Sequence, residues 1–319
     1  MNYRHAFHAG NFADVLKHVV LARILEHLKV KPAPFRVFDL HAGTGLYDLT
    51  ADEAERTGEW RDGVGRLYRE DTCAPDPLPG PAEQLILPWR KAVAAVNDGA
   101  RLARYPGSPE IARRLTRDGD GLVFNELHPA DYGALADRFG REKRAKLFQM
   151  DAWIAAKALL PPAERRGLVL MDPPYEVADE AGAALTGLAE GHRRFATGAF
   201  CLWYPVKAQA DANALARRAA ALRLPKMLRV EMTVRRADKR DRLNGAGLIL
   251  VNPPWLLEAE LKLLLPALAE RCADREARFD GSWRLEWLAT GVVRDGEKPD
   301  RGTEMPDPRG GSGRGGRPT

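Results

Sequence analysis

The stretch LVLMDPPYE, residues 168–176, sets an acid, two prolines and a tyrosine directly behind an apolar run. Asp172 supplies a carboxylate. Pro173 supplies a carbonyl on a stiff backbone that has no N–H of its own. Tyr175 supplies an aromatic face. Two acceptors beside a stacking surface suit an exocyclic amine on a flat ring. The lone pair of such an amine is delocalised into the ring, which makes it a poor nucleophile. Acceptors on its two N–H groups favour the electron-rich, pyramidal nitrogen of a transition state. A nucleobase carrying this amine must first leave its stack or already lie in a loop. The plainer reading of the same letters is a turn that ends a strand. The chain contains its own control, LILVNPPWL at 248–256. That run is the last long one and reads as half of a hairpin, away from the cofactor strand. Asn252–Trp255 is therefore expected to be a rigid structural turn with Trp255 packed.

Three further acids end apolar runs: Asp39 in FRVFDL, Glu126 in GLVFNEL and Asp151 after AKLFQM. With Asp172 they make four strand ends carrying carboxylates, at the edge where an open α/β sheet binds ligands. One such acid is ordinary, because Asp caps helices. Four suggest a polar ligand with amines and hydroxyls, or a cation. DLHAGTG at 39–45 supplies a turn in which Gly43 lets the backbone approach a ligand closely. It lacks the GxGxxG spacing and any GK[ST], and Asp39 would repel a pyrophosphate. S-adenosyl-L-methionine fits better, with its sulfonium, ammonium, ribose diol and adenine amine. Glu126 is expected to accept from the ribose hydroxyls, and Asp151 from the adenine amine.

These residues need a scaffold, and the apolar spacing describes one. Val15, Leu16, Val19, Val20, Ile24, Leu25 and Leu28 recur at helical steps, with Asn11 as a candidate cap. Strands are expected at 35–40, 121–127, 145–150, 167–171, 199–205, 227–234 and 246–252, with a short one near 282–288. Helices of 10–15 residues separate most of them. That alternation predicts an α/β, Rossmann-like fold with a mostly parallel seven-stranded sheet. The last two long strands are joined by a basic loop and can pair only as an antiparallel edge hairpin. Residues 1–47 and 106–290 form the main domain in this reading, and 48–105 a small inserted helical subdomain. DEAERTGEWRDGVGRLYRE within it reads as surface helix. Residues 293–319, rich in Arg and Gly, have too little apolar surface to offset ordering entropy and are expected to be disordered.

Taken together, YRHAFHAGNFADVLKH (3–18), DLHAGTG, YPGSP (105–109), NELHP (125–129), MDPPYE (171–176), RFATG with WYP (194–205) and NPPW are similar to the bacterial 23S ribosomal RNA adenine-N6 methyltransferase family. The resemblance spans residues 2–290 and implies a class I methyltransferase that uses S-adenosyl-L-methionine. Its implied target is N6 of an adenine of 23S rRNA, adenine 2030 by the same resemblance. It implies that Asp172 is the proton acceptor, that His18, His41, Ser108, Glu126, Asp151 and Ala152 contact the cofactor, and that Tyr3 lies near the RNA. The family commonly has Gly where this chain has Ala152, and the loop around 73–81 is longer here. Each residue also has a bland reading. Lys17 pairs with the cofactor carboxylate or is solvated, His18 is a partly buried helix histidine, and Ser108 is a helix cap with Glu110 in its first turn.

Bulk properties narrow the classes. The 319 residues carry a formal net charge of +5, which mildly favours a polyanionic partner. RRADKRDR at 235–242 puts Arg235, Arg236, Lys239 and Arg240 in one loop, either solvated or gripping RNA phosphates. The three cysteines, Cys73, Cys201 and Cys272, form no CxxC pair, which argues against zinc or a disulfide framework. His5, His8 and His18 lack clustered ligand partners, so no metal is expected. No run approaches a membrane span, and no signal-peptide core opens the chain. A cytoplasmic monomer acting on 23S rRNA is the expectation. A DNA adenine-N6 methyltransferase and a non-catalytic RNA-binding scaffold are the alternatives. A protein-glutamine methyltransferase would normally carry Asn at the position of Asp172.

Overall fold

Successive residues of a strand face opposite ways, and in the central strands both sets are apolar. Val37, Leu122, Phe124, Leu168 and Leu170 belong to one core, and Phe38, Val123, Val169 and Met171 to the other. A sheet buried on both faces needs helices on both. The computed structural model describes residues 5–69, 74–99, 101–176, 179–238, 240–276 and 278–290, and among them it has that three-layered form.

The sheet holds β1 (Arg36–Asp39), β4 (Gly121–Asn125), β5 (Ala145–Phe148), β6 (Gly167–Met171), β7 (Ala199–Val206), β8 (Met227–Thr233), β9 (Gly245–Val251) and β10 (Ser282–Ala289). Their order is β10-β8-β9-β7-β6-β1-β4-β5. From β7 to β5 every pairing is parallel; β9 runs antiparallel to both β7 and β8, and β10 antiparallel to β8. The sheet thus has eight strands where seven were expected. The hairpin β8–β9 forms as expected, but β10 lies outside it and is the edge. The reason is burial: every residue of β8 is buried, and the half-exposed β10 covers the backbone edge β8 would otherwise present.

One face carries α1 (Phe12–Lys29), α3 (Pro81–Ala94), α4 (Ser108–Leu115), α5 (Pro129–Phe139) and α9 (Leu257–Cys272). The other carries α6 (Ala152–Leu159), α7 (Glu180–Arg194) and α8 (Gln209–Ala221). Asn11 caps α1 as its sequence position suggests, its Oδ1 accepting from the Ala13 and Asp14 amides at 2.9 and 3.0 Å. Among the described residues no helix is long and apolar enough to cross a membrane.

The segment between β1 and α4 leaves and returns through a two-stranded ladder, β2 (Leu46–Asp48) with β3 (Arg104–Pro106). The surface helix expected at its start is broken. Only α2 (Asp52–Thr57) is α-helical; Gly58 adopts a left-handed conformation, and two 3₁₀ turns follow at Glu59–Asp62 and Val64–Leu67. Val64 and Leu67 are buried with Ile86 and Trp89 in the same core as α1.

Candidate active site

After β1 the chain continues toward β4 and β5 on one side, and later returns to β6 and β7 on the other. The neighbouring strands β1 and β6 therefore have connections that diverge, which opens a crevice beyond their carboxyl ends. A cleft of about 880 Å³, mouth included, lies there. The four acids singled out from sequence end β6, β1, β4 and β5, four adjacent strands.

Asp39 closes β1 and is buried, its Oδ1 accepting from the His41 amide at 3.3 Å. Burial pushes its carboxyl up to about 7, against the Ser108 hydroxyl and the His41 amide, which favour the charged form. The turn then needs glycine. Gly43 has φ +57°, and a Cβ there would sit 2.2 Å from the Tyr47 hydroxyl. Its amide donates to Glu126 Oε2 at 2.8 Å, while Glu126 Oε1 accepts from the His128 amide at 2.8 Å. Burial raises the Glu126 carboxyl despite those two donors. Asp151 caps α6, with Oδ1 accepting from the Trp153 and Ile154 amides at 2.9 and 3.0 Å.

The far wall is the first turns of α1. Asp14 is buried, accepts from the Gly10 amide at 2.9 Å and pairs with His5 at 2.9 Å and Lys17 at 2.8 Å. Burial alone would raise its carboxyl; the neighbouring His5 and Lys17 charges hold it well below the usual range. Lys17 also pairs with Asp172. Burial opposes the Lys17 charge, but the two carboxylates outweigh it and hold the ammonium well above its ordinary value. His41 accepts the Asp172 amide on Nδ1 at 3.1 Å. Burial lowers that imidazole to about 4, and it can accept only while neutral.

The structure brings Lys17, His18, His41, Gly43, Ser108, Glu126, Asp151, Ala152 and Asp172 around this one cleft. Five details differ from expectation. Lys17 is neither solvated nor free for a ligand carboxylate, because Asp14 and Asp172 enclose it. His18 is fully rather than partly buried, bonded through Nδ1 to the Tyr105 hydroxyl at 2.8 Å. Ser108 is the first helical residue of α4, with Gly107 at the cap and no side-chain cap bond. Pro173 is buried, and Pro174 lines the cleft instead. Tyr175 is set back: its hydroxyl donates to the Trp203 carbonyl at 2.9 Å and its ring packs edge-on against Trp203.

Sequence reasoning missed Asp14, Tyr47, Trp153 and His5 as cleft-forming groups. Asp14 is the acid in the first turn of α1, and its three-residue spacing from Lys17 puts both on one helix face. No local signal marked Tyr47 or Trp153. The basic loop is partly committed inside the protein. Arg235 pairs with Asp274 at 2.7 Å, and Arg240 with Asp211 at 2.6 Å, while Arg236 is exposed. Tyr3, Lys239, Cys73 and the tail 293–319 lie outside the described residues. Cys201 and Cys272 are buried free thiols, and no metal-holding cluster occurs among the described residues.

The fold and the acid-rimmed cleft at its switch point are those of a Rossmann-like methyltransferase. The chain belongs to the family described as "Ribosomal RNA large subunit methyltransferase D, RlmJ", whose model matches residues 32–289. It is 43% identical over 268 residues to the Ribosomal RNA large subunit methyltransferase J of Escherichia coli (strain K12), covering 84% of this chain and 92% of that protein. To its namesake in Haemophilus influenzae it is 39% identical over 289 residues, covering 90% and 99%. A crystal structure of a Legionella pneumophila protein superposes with a TM-score of 0.77 at 31% identity, covering 88% of this chain and 98% of that one.

Proposed function

We propose that this enzyme transfers a methyl group from S-adenosyl-L-methionine to the exocyclic N6 of an adenine in 23S rRNA, in the cytoplasm. One observation carries the reading: Asp172 lines the same cleft as the glycine turn at Gly43, with the diverging strands β6 and β1 between them.

The donor set fits a cationic cofactor. Glu126, Asp131, Asp151, Asp172 and Glu180 line the cleft, and its single lysine is already matched by two carboxylates. The missing Cβ of Gly43 leaves backbone open to close approach. Glu126 is preoriented by two amides for the ribose hydroxyls, and Asp151 for the adenine amine. When bound, the cofactor supplies an electrophilic methyl group on a sulfonium.

The chain supplies position and charge. Lys17 holds Asp172 through Oδ2, and His41 holds its amide, so the carboxylate is fixed before substrate arrives. Its Oδ1 accepts an N–H of the adenine amine as the nitrogen pyramidalises, and the carboxylate takes the proton released. A main-chain carbonyl of the same proline turn is the second acceptor, and Tyr175, anchored to Trp203, stiffens the turn that presents both.

Incubation with labelled S-adenosyl-L-methionine and either 23S rRNA or duplex DNA tests the reading. Label should enter rRNA alone, and mass spectrometry of the digest should find N6-methyladenosine, at adenine 2030 if the family resemblance extends to the nucleotide. Label in DNA only, or in neither, would refute it. Glu126→Ala should weaken cofactor binding by about tenfold or more in calorimetry, as expected for losing a charged acceptor of two hydroxyls. An unchanged dissociation constant would remove Glu126 from the cofactor site.

A further inference from the structure

A second concavity lies between the 48–105 insertion and the C-terminal end of α9, with about 2020 Å³ of space open to solvent. Its walls are arginines set among the rings of Trp60 and Tyr68, with the Arg61 guanidinium 4.9 Å above the Trp60 ring. Arg61, Arg66 and Arg271 are neutralised by Glu55, Asp62 and Asp76 at 2.5, 2.6 and 2.5 Å. Arg69, Arg101 and Arg275 are exposed and make no ion pair among the described residues. Glu270 is the one lining acid without an ion pair among them.

The groove opens at the same edge of the sheet as the cleft. β9 runs against β7, so α9, which follows it, travels back toward the edge where β6 and β1 end. Arg271 and Arg275 come at the finish of that path. The insertion reaches the edge from the other side: the Val64 amide donates to the Gly10 carbonyl at 2.8 Å, and Asn11 Nδ2 donates to Glu59 at 2.9 Å. The loop before α1 is thus bonded to the segment that carries Trp60 of the groove, while His5 and Lys17 line the cleft. Arg235 of the basic loop lies 3.6 Å from Asp62 in the groove wall.

We propose that this groove holds the RNA strand flanking the target base, with Arg69, Arg101 and Arg275 pairing with its phosphates. The proposal rests on the ribosomal RNA reading above. A surplus of guanidinium groups without ion pairs along an open groove suits a polyanionic backbone, whose binding releases condensed counterions.

The test compares wild type with Arg101→Glu/Arg275→Glu, and with Arg194→Glu as a control. Arg194 ends α7, a helix that starts behind β6 and finishes at the opposite edge of the sheet. The readouts are anisotropy of a labelled 23S rRNA fragment over a salt series, and KM and kcat for methyl transfer. The double variant should bind the fragment about tenfold more weakly or worse, with a log–log salt slope shallower by roughly one per arginine lost. Its kcat and cofactor affinity should stay at wild-type values, and Arg194→Glu should change nothing. Glu270→Gln should tighten RNA binding. If the double variant binds RNA with wild-type affinity and slope while wild type methylates rRNA, the groove assignment is wrong and the functional reading stands. If wild type neither methylates rRNA nor prefers it to duplex DNA, both fall. Loss of polyglutamate binding in the double variant, with RNA binding intact, would make the groove a site for an acidic protein and overturn the proposal.

Discussion

MDPPY at 171–175 and VNPPW at 251–255 differ little as strings, yet the fold uses them in opposite ways. β6 and β9 run in opposite directions, so Asp172 emerges at the carboxyl edge of the parallel strands and Asn252 at the amino edge. Asp172 meets Lys17 and the His41 ring at the cleft. Asn252 adopts φ +52° and turns its amide back on the Ala196 and Gly198 carbonyls, 2.9 Å from each, tying down the entry to β7. In the first turn the left-handed residue is instead Tyr175, at φ +55°. The expected structural role of the second turn is therefore correct, but Trp255 is not packed: it is 86% exposed. A turn motif acquires chemistry from the strand direction that delivers it and from the groups waiting at that edge.

Mutating both turns is the strongest way to break this comparison. Asp172→Ala should lower the single-turnover methyl-transfer rate by about 10²–10³-fold, the loss typical of removing one positioned electrostatic partner. Cofactor affinity measured by calorimetry should persist. Asn252→Ala should leave the rate intact and cost about 1–3 kcal/mol in urea unfolding, because two carbonyls lose their donor. Equal losses of activity at the two turns would end the distinction drawn between them.

The glycine turn facing Asp172 offers a sharper and smaller effect. Gly43→Ala faces a left-handed backbone and a 2.2 Å approach to the Tyr47 hydroxyl, so stability should fall by about 1–3 kcal/mol and cofactor affinity with it. Adding Tyr47→Phe removes that oxygen and leaves the ring carbon at an ordinary 3.5 Å, so part of the loss should return. No recovery of Tm in the double variant would show that the φ angle alone sets the cost.

The titrating groups at the cleft pull in two directions, a tension the outer turn does not have. Burial lowers His18 to about 3 and His41 to about 4, both below their unfolded value near 6.5. The unfolded chain then binds more protons between those values, so their contribution is lost as pH falls from about 6.5 toward about 4 for His41 and about 3 for His18. Asp39 is raised to about 7, so the folded form binds the extra proton above its ordinary value of 3.8, and that contribution is lost as pH rises through 7. Thermal unfolding of Asp39→Asn should therefore gain more over wild type at pH 8 than at pH 5. A uniform gain would refute the assigned shift. The smallest effect belongs to the outer turn: Trp255→Ser should change stability by no more than about 0.5 kcal/mol and leave methylation untouched.

The strands and their terminal acids were legible because hydrophobic period and strand length are local properties. Asp39, Glu126, Asp151 and Asp172 could be aligned at one edge without coordinates, since a parallel sheet repeats the same direction strand after strand. The broken surface helix was less legible: Gly58, Gly63 and Gly65 are visible, but which apolar residues they turn inward depends on α1 and α3. The eighth strand was seen as a short apolar run, yet its place outside β8 depended on an edge that exists only once the sheet has formed. Asp14 sits where a helix-start acid is ordinary, and Lys17 allowed two readings, a partner of the cofactor carboxylate or a solvated lysine.

By itself the chain's order of residues determined the α/β class, the acids at the strand ends, the glycine turn between them and the family to which it belongs. These follow from side-chain periodicity, backbone freedom and a combination of short motifs. Only the tertiary structure decided that Lys17 is locked between Asp14 and Asp172, that His41 holds the Asp172 amide, and that one proline turn faces a cleft while its twin faces solvent. Those outcomes join groups from separate segments, Lys17 and Asp172 lying 155 residues apart. No local pattern encodes such a pairing, because its energy exists only when packing excludes water from both partners at once.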